Sequence, residues 1–240
     1  MAHMTSGKLQ GSLLSLLCQL VQARRVLELG TFTGYSSLVL AGCSSVQSLV
    51  TIERDPLAAA IARRFFERSQ NAHKITLRQG DANRELALLA QRPSSSCAHA
   101  ATAGAGGYNQ SLCGRDTLLE LEIGAAGVGN EEGEWEAFDL VFLDAGKRDY
   151  AEQRAVLLQH NLIRVGGLVV ADNVLWAGAV PLHSEALERG EPSATAQPRE
   201  RHEKVTRALY DYVAQTAQDA RWQQLVLPLR DGLSVCRRVA

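Results

Sequence analysis

The chain has 240 residues, 46% of them hydrophobic, enough to bury one substantial core within a single domain spanning 1–240, which excludes a fibrous or disordered chain. A net charge of −1, with lysine and arginine scattered, leaves no basic face to track phosphates and argues against nucleic acid as a partner. No apolar run approaches the ~20 residues of a membrane helix and residues 1–8 lack a signal-peptide layout, so a cytoplasmic protein with no membrane partner is expected.

Leu9 to Val21 places Leu13, Leu14, Leu16, Leu17 and Leu20 at helical spacing, predicting a helix on the flank of the first strand. VLELGTFTGYSS (Val26 to Ser37) then reads as an apolar strand, a turn bounded by Gly30 and Gly34, and a helix start. A second strand ends at Glu53. Asp55 and Pro56 open a helix whose apolar stripe is Leu57, Ile61, Phe65 and Phe66. Lys74 to Gln79 alternates as a third strand, and Gly80-Asp81-Ala82-Asn83 leads into a helix ending near Gln91.

Residues 93–134 break this rhythm and are rich in glycine, alanine and serine. They read as a flexible surface insertion with one short helical turn near Leu118 to Ile123, low-complexity filler rather than an active-site lid. The pattern resumes with a strand at Asp139 to Asp144, a helix over Tyr150 to Asn161, a turn at Gly166 and Gly167, and a strand at Leu168 to Asp172. Pro181 to Pro198 reads as a polar loop and Arg201 to Ala217 as a helix. Gln224 to Leu229 and Leu233 to Arg238 are separated only by Arg230, Asp231 and Gly232, a spacing that makes an antiparallel hairpin. Alternating strands and helices imply an α/β fold: a mostly parallel sheet with helices on both faces and mixed pairing at its end. Five cysteines, odd in number and without a CxxC pair, read as reduced thiols.

The turn from Gly30 to Gly34 would present backbone N–H groups at the carboxyl edge of that sheet, where open α/β folds bind nucleotide-like ligands. Glu53, 19 residues beyond Gly34, is placed to accept hydrogen bonds from both hydroxyls of a ribose. Phe32 occupies the position where a dinucleotide fingerprint needs its second glycine, which favours a ribose ligand without a pyrophosphate. S-adenosylmethionine is such a ligand, and its cationic sulfur and amine suit a carboxylate such as Glu28. An ordinary βαβ turn with an accidental acid is the alternative.

Asp144 closes one strand, and Asp172 with Asn173 closes the next. Two carboxylates and an amide carbonyl, with no histidine or cysteine, suit a hard octahedral cation, Mg²⁺ by default. Lys147, three residues past Asp144, would lie near that cation, where burial and the positive charge favour its neutral, basic form. Each acid taken singly is better explained as a cap at a strand-to-helix turn, and it is their coincidence with a lysine and a ribose acid that favours a site. Tyr150, Val141 and Leu143 read as packing residues, and Trp176 as core or as a flat wall against an aromatic acceptor.

Five stretches, RRVLELGTFTGYSS, VTIERD, FDLVFLDAGKRDY, VGGLVVADNVLWAG and LPLRDGL, resemble in this order the cation-dependent class I O-methyltransferases of the caffeoyl-CoA and catechol O-methyltransferase group. The resemblance implies a seven-stranded Rossmann-like domain with Asp144, Asp172 and Asn173 as metal ligands and Lys147 as the base. It also implies cofactor contacts at Ser6, Glu28, Gly30, Thr31, Ser36, Glu53 and Ala82, with Asp144 near the methionine end. Gly146 stands where most of the family has an acid, one that the catechol branch also lacks, and Ala177 where the plant caffeoyl-CoA enzymes have an asparagine. The family's longer N-terminal helices, which help cover the acceptor and form a dimer, are mostly missing, so a homodimer is left open.

The function expected is transfer of a methyl group from S-adenosylmethionine to a hydroxyl of a catechol-like or caffeoyl-type aromatic acceptor, assisted by a divalent cation. Two other readings stay open: an NAD-dependent oxidoreductase on the same architecture, which Phe32 disfavours, and a methyltransferase-like binding protein without activity.

Overall fold

A computed structural model describes residues 7–91, 137–190 and 200–240. Ser6, the 93–134 stretch and its helical turn lie outside these residues. Helix α1 (Gly7–Leu20) leads into β1 (Arg25–Leu29), α2 (Tyr35–Ala41), β2 (Ser48–Glu53), α3 (Pro56–Glu67), β3 (Ile75–Gln79) and α4 (Ala82–Ala90). After the undescribed stretch come β4 (Phe138–Leu143), α5 (Tyr150–Gln159), β5 (Ile163–Asp172), α6 (Ala179–Glu188), α7 (Glu200–Gln218), β6 (Trp222–Leu227) and β7 (Leu233–Arg238). The strands form one seven-stranded sheet in the order β3-β2-β1-β4-β5-β7-β6. Strands β1 to β5 pair in parallel, while β7 runs antiparallel to both β5 and β6. This is the Rossmann-like α/β architecture expected.

Strand alternation sends side chains to two cores. Leu27, Leu29, Val141, Leu143, Val169 and Ala171 face α4, α5 and α7, while Val26, Leu140, Phe142, Leu168 and Val170 face α1, α2 and α3. The helices meet the sheet through smaller residues than their leucine and phenylalanine spacing suggested. In α3 the buried set is Ala58, Ala59, Ala62 and Phe66, and Leu57 and Phe65 stand exposed. In α1 it is Gln10, Gly11, Leu14 and Cys18, with Leu9, Leu16 and Leu20 exposed. Small residues let a helix axis approach the sheet closely, which leaves the larger neighbours at the rim.

Two segments depart from expectation. Gly166 and Gly167 do not turn the chain; they lie within β5, where the register with β4 jumps from Phe138 opposite Ile163 to Leu140 opposite Leu168. Gly166, at φ 83°, takes up the surplus residues as a bulge, a conformation glycine adopts at little cost. Residues 181–188, expected as loop, belong to α6, because Pro181 falls in its first turn, where a missing N–H is harmless. Among the described residues no helix is long and apolar enough to cross a membrane.

Opposite the carboxyl edge, Asp139 ties three strands together. Its Oδ2 accepts the N–H groups of Arg24 and Arg25 at 2.8 Å each, and Oδ1 accepts from the Arg164 guanidinium at the start of β5. Asp139→Ala strands two backbone donors in a largely buried place and is expected to cost about 2–4 kcal/mol. Urea unfolding checks this, and a loss under about 0.5 kcal/mol would contradict the role given to Asp139.

Candidate active site

Glu28 lies on β1 with no exposure, facing α2. Its Oε2 accepts hydrogen bonds from the hydroxyls of Ser37 and Thr51, the latter at 2.5 Å. Its Oε1 is buried with no hydrogen-bond partner among the described residues. Burial pushes the carboxyl up to about 7, and the neighbouring hydroxyls of Ser36, Ser37 and Thr51 offset only part of that rise. Thr51 gives its proton to Glu28, so at 2.5 Å Thr31 donates to Thr51. The Thr31 side chain therefore turns inward, supporting Glu28 from beneath the loop.

That loop is shaped by two glycines. Gly30 has φ 101°, and a Cβ there would lie 2.6 Å from the Asp144 carbonyl oxygen, so only glycine lets the loop rest on the end of β4. Gly34, at φ 88°, caps α2 where a Cβ would meet the Phe66 ring at 2.6 Å. Between them Phe32 takes a left-handed φ of 50° and donates its N–H to Glu53 Oε2 at 2.7 Å. Glu53 Oε1 accepts from the Asp55 N–H at 2.8 Å. Both oxygens are thus oriented by backbone, and each keeps a lone pair for another donor. Ser36 is buried in the first turn of α2. Ala82, half-buried, is the first residue of α4, just past its cap Asp81.

The adjoining strands carry the second group. Asp144 follows β4, and its N–H bonds to the Leu29 carbonyl at 2.8 Å. Lys147 Nζ lies 2.5 Å from Asp144 Oδ1 and donates to the Tyr150 hydroxyl at 2.9 Å. Burial pushes the Asp144 carboxyl up to about 6; the Lys147 ammonium pulls it down and the Asp172 charge pushes it up. Asp172 ends β5 with 5% exposure, and its Oδ1 accepts the N–H of Asn173, itself at φ 60°. Among the described residues no three His, Cys, Asp or Glu side chains gather as a metal site. The donors here are the two carboxylates and the Asn173 amide.

Tyr150, read from the sequence as packing, does more. Fully buried at the start of α5, its hydroxyl donates to the Leu143 carbonyl at 2.8 Å, reaches the Asp172 carbonyl at 3.2 Å and holds Lys147. It joins the ends of β4 and β5 to the lysine, and its three-residue spacing from Lys147 at a helix start was the available signal. The β6–β7 turn braces the segment after Asn173. Val174 and Leu175 donate to the carbonyls of Gly232 and Asp231, and the Asp231 side chain accepts the Ala177 N–H. Trp176 packs against the apolar core and lies 5.7 Å from the His202 ring. The space a side chain at Gly146 would need is taken by the Asp149 carboxylate.

The O-methyltransferase family matches residues 1–98 and 126–239 of this chain. Tricin synthase 1 of Oryza sativa subsp. japonica is 31% identical over 98% of the chain and 75% of its own length. Caffeoyl-CoA O-methyltransferase 2 of Petunia hybrida is 27% identical over 99% of the chain and 77% of its own length. Among solved structures, an O-methyltransferase from Streptomyces achromogenes in complex with SAM superposes with a TM-score of 0.69 at 25% identity, covering 99% of this chain and 82% of that one. An SAH-bound methyltransferase from Podospora anserina shares the fold with a TM-score of 0.69 at 22% identity, covering 100% of this chain and 82% of that one. These matches set aside the dehydrogenase reading: the chain belongs to the O-methyltransferase family, as a class I S-adenosylmethionine-dependent O-methyltransferase.

Proposed function

We propose that the chain methylates a hydroxyl of a catechol-like or caffeoyl-type aromatic acceptor with the help of a divalent cation, Mg²⁺ by the hardness of the donors. The observation that carries this reading is the Asp144–Lys147 ion pair at the end of β4, under the influence of the Asp172 charge at the end of β5 and beside the loop whose Phe32 amide orients Glu53. The names of the relatives, tricin synthase and caffeoyl-CoA O-methyltransferase, support a small phenolic acceptor rather than nucleic acid. One domain over 1–240 with an insertion at 93–134, in a cytoplasmic setting, belongs to the same proposal. The family match omits 99–125, inside that insertion.

The residues fit both groups. Glu28 Oε1 is a buried acceptor with no donor among the described residues, Gly30 leaves no room for a side chain over Asp144, and Glu53 is aimed by two backbone amides. These residues, with Ser6, Thr31, Ser36 and Ala82 around them, would hold S-adenosylmethionine. When bound, it supplies an electrophilic methyl on a sulfonium with its leaving group built in. Asp144 and Asp172 crowd two hard carboxylates against one ammonium, and with the Asn173 amide they would hold the cation. When bound, that ion lowers the pKa of a hydroxyl it chelates. Glu28 holds the cationic end of the donor from beneath, and Glu53 fixes its ribose. Lys147 would take the acceptor proton at Nζ in its amine form, after giving up the proton of the ammonium, with Asp144 and Tyr150 keeping that nitrogen at the strand edge. Trp176 offers its ring to an aromatic acceptor. The chain's work is positioning and electrostatics.

Glu53→Ala should weaken S-adenosylmethionine binding by at least ~1 kcal/mol, since it removes a charged acceptor and releases the Phe32 amide. Unchanged affinity by calorimetry would take Glu53 out of the site. Asp172→Ala should abolish transfer to a catechol, and EDTA should do so reversibly; full activity in EDTA would sink the cation assignment. Lys147→Ala should keep acceptor affinity while turnover falls ~10²-fold, partly recovered at higher pH as the acceptor ionises in solution. Wild-type turnover of that variant at neutral pH would move the base elsewhere.

A further inference from the structure

Glu28 Oε1 is not alone on its side of the sheet. Gln10 Nε2, on α1, is also buried with no hydrogen-bond partner among the described residues. Gln10 has 1% exposure and Glu28 none. One group is a donor and the other an acceptor, and they do not bond each other. A buried amide with nothing to bond is destabilising, and a ligand that completes it recovers that loss.

The two groups stand at the same level of the fold. Leu14 follows Gln10 by one turn on the inner face of α1, and Val26 precedes Glu28 by two residues on the same side of β1. Leu14 and Val26 belong to one buried cluster with Leu40, Phe142 and Leu233. A short turn joins the end of α1 to the start of β1, so helix and strand run in opposite directions. Toward the carboxyl edge, one helical turn of about 5.4 Å leads from Leu14 to Gln10, and two strand residues of about 6.6 Å lead from Val26 to Glu28.

Two glycines fix this end of α1 across the strand ends. A Cβ at Gly7 would lie 2.7 Å from the Arg230 guanidinium in the β6–β7 turn, and one at Gly11 would lie 2.8 Å from the Tyr35 hydroxyl at the start of α2. The β6–β7 turn braces the segment after Asn173, and α2 follows the Gly30 to Gly34 loop. The ends of β1, β4 and β5, with Glu28, Asp144 and Asp172, lie between these two anchors. Gln10, between Gly7 and Gly11 on the inner face, is turned toward that gap.

We propose that Gln10 is a specificity-determining residue of the S-adenosylmethionine site, its side-chain amide donating to the carboxylate of the amino-acid end while Glu28 Oε1 accepts from the ammonium on the same carbon. This rests on the reading of Glu28 as the carboxylate under the cationic end of the methyl donor. Glu28 alone selects an amine. Gln10 adds the choice of an amine that also carries a carboxylate. The acids at this edge repel a carboxylate, and the N–H of Gln10 is set against that repulsion without bringing another charge.

The test uses the full chain and two ligands, S-adenosylmethionine and its decarboxylated form, which keeps the sulfonium and the amine. Calorimetry of wild type should show tighter binding of the first. In Gln10→Leu, affinity for S-adenosylmethionine should fall ~10-fold or more, while affinity for the decarboxylated form stays within about twofold. Gln10→Glu should lower the first affinity further by repulsion and not the second. Without ligand, Gln10→Leu should melt no lower than wild type, since it removes an unpaired amide from the interior. A lower melting temperature would make Gln10 a structural residue and overturn the proposal, as would equal losses for the two ligands or a loss for neither. Glu28→Gln controls the underlying reading and should weaken both ligands, because both carry the amine. If it weakens neither, that reading falls and the proposal with it. If it weakens both while Gln10→Leu does not separate them, the proposal alone falls.

Discussion

The fold around the site depends on a carboxylate that water does not reach. Glu28 lies one residue before the end of β1, beneath α2, and among the described residues its Oε2 accepts from the hydroxyls of Ser37 and Thr51. Those two bonds join β1, β2 and α2, and Thr31 extends the chain of hydroxyls under the loop. Removing a carboxyl from water costs several kcal/mol unless it is neutralised, which is why burial drives Glu28 up to about 7. The apolar residues on either side of β1 carry that cost, because Val26, Leu27 and Leu29 are all fully buried.

The same constraint shapes the rest of the edge. Glu28, Glu53, Asp144 and Asp172 lie at the carboxyl ends of β1, β2, β4 and β5, and Lys147 is the ammonium paired with Asp144 among them. Each acid raises the cost of its neighbours, and the crowding of Asp144 by Asp172 and Glu53 is the plainest case. An edge of this kind favours positively charged ligands over phosphates. Tyr150 makes the crowding tolerable by tying the ends of β4 and β5 to the lysine through one hydroxyl.

Much of this was legible in the residues. Hydrophobic runs that end in an acid gave the strand ends, so Glu53, Asp144 and Asp172 could be named, and the three-residue gap before Leu233 gave the hairpin. What escaped depended on partners distant in the chain. Gly166 and Gly167 resemble a turn until β4 shows that β5 passes through them with a shifted register. Pro181 resembles a loop residue until its place in the first turn of α6 is known. The exposure of Leu57 and Phe65 follows from how close α3 lies to the sheet, which spacing alone does not encode. For Thr31 and Tyr150, residue type says that a hydroxyl exists and only the fold says what it holds.

The central claim is that the chain keeps a buried carboxyl at the strand edge, at a cost in stability, because a cationic ligand needs its charge. A folded value of about 7 against an ordinary 4.5 has a definite consequence. The stability from keeping Glu28 protonated is full below about pH 4.5 and is lost as pH rises through about 7. Urea unfolding of wild type and Glu28→Gln at pH 5 and pH 8, with and without saturating S-adenosylmethionine, tests this directly. Without ligand, the variant should gain about 2–3 kcal/mol relative to wild type between the two pH values. With ligand at pH 8, wild type should be stabilised more than the variant. A difference between the two proteins that does not change with pH, together with equal stabilisation by the ligand, would contradict the account.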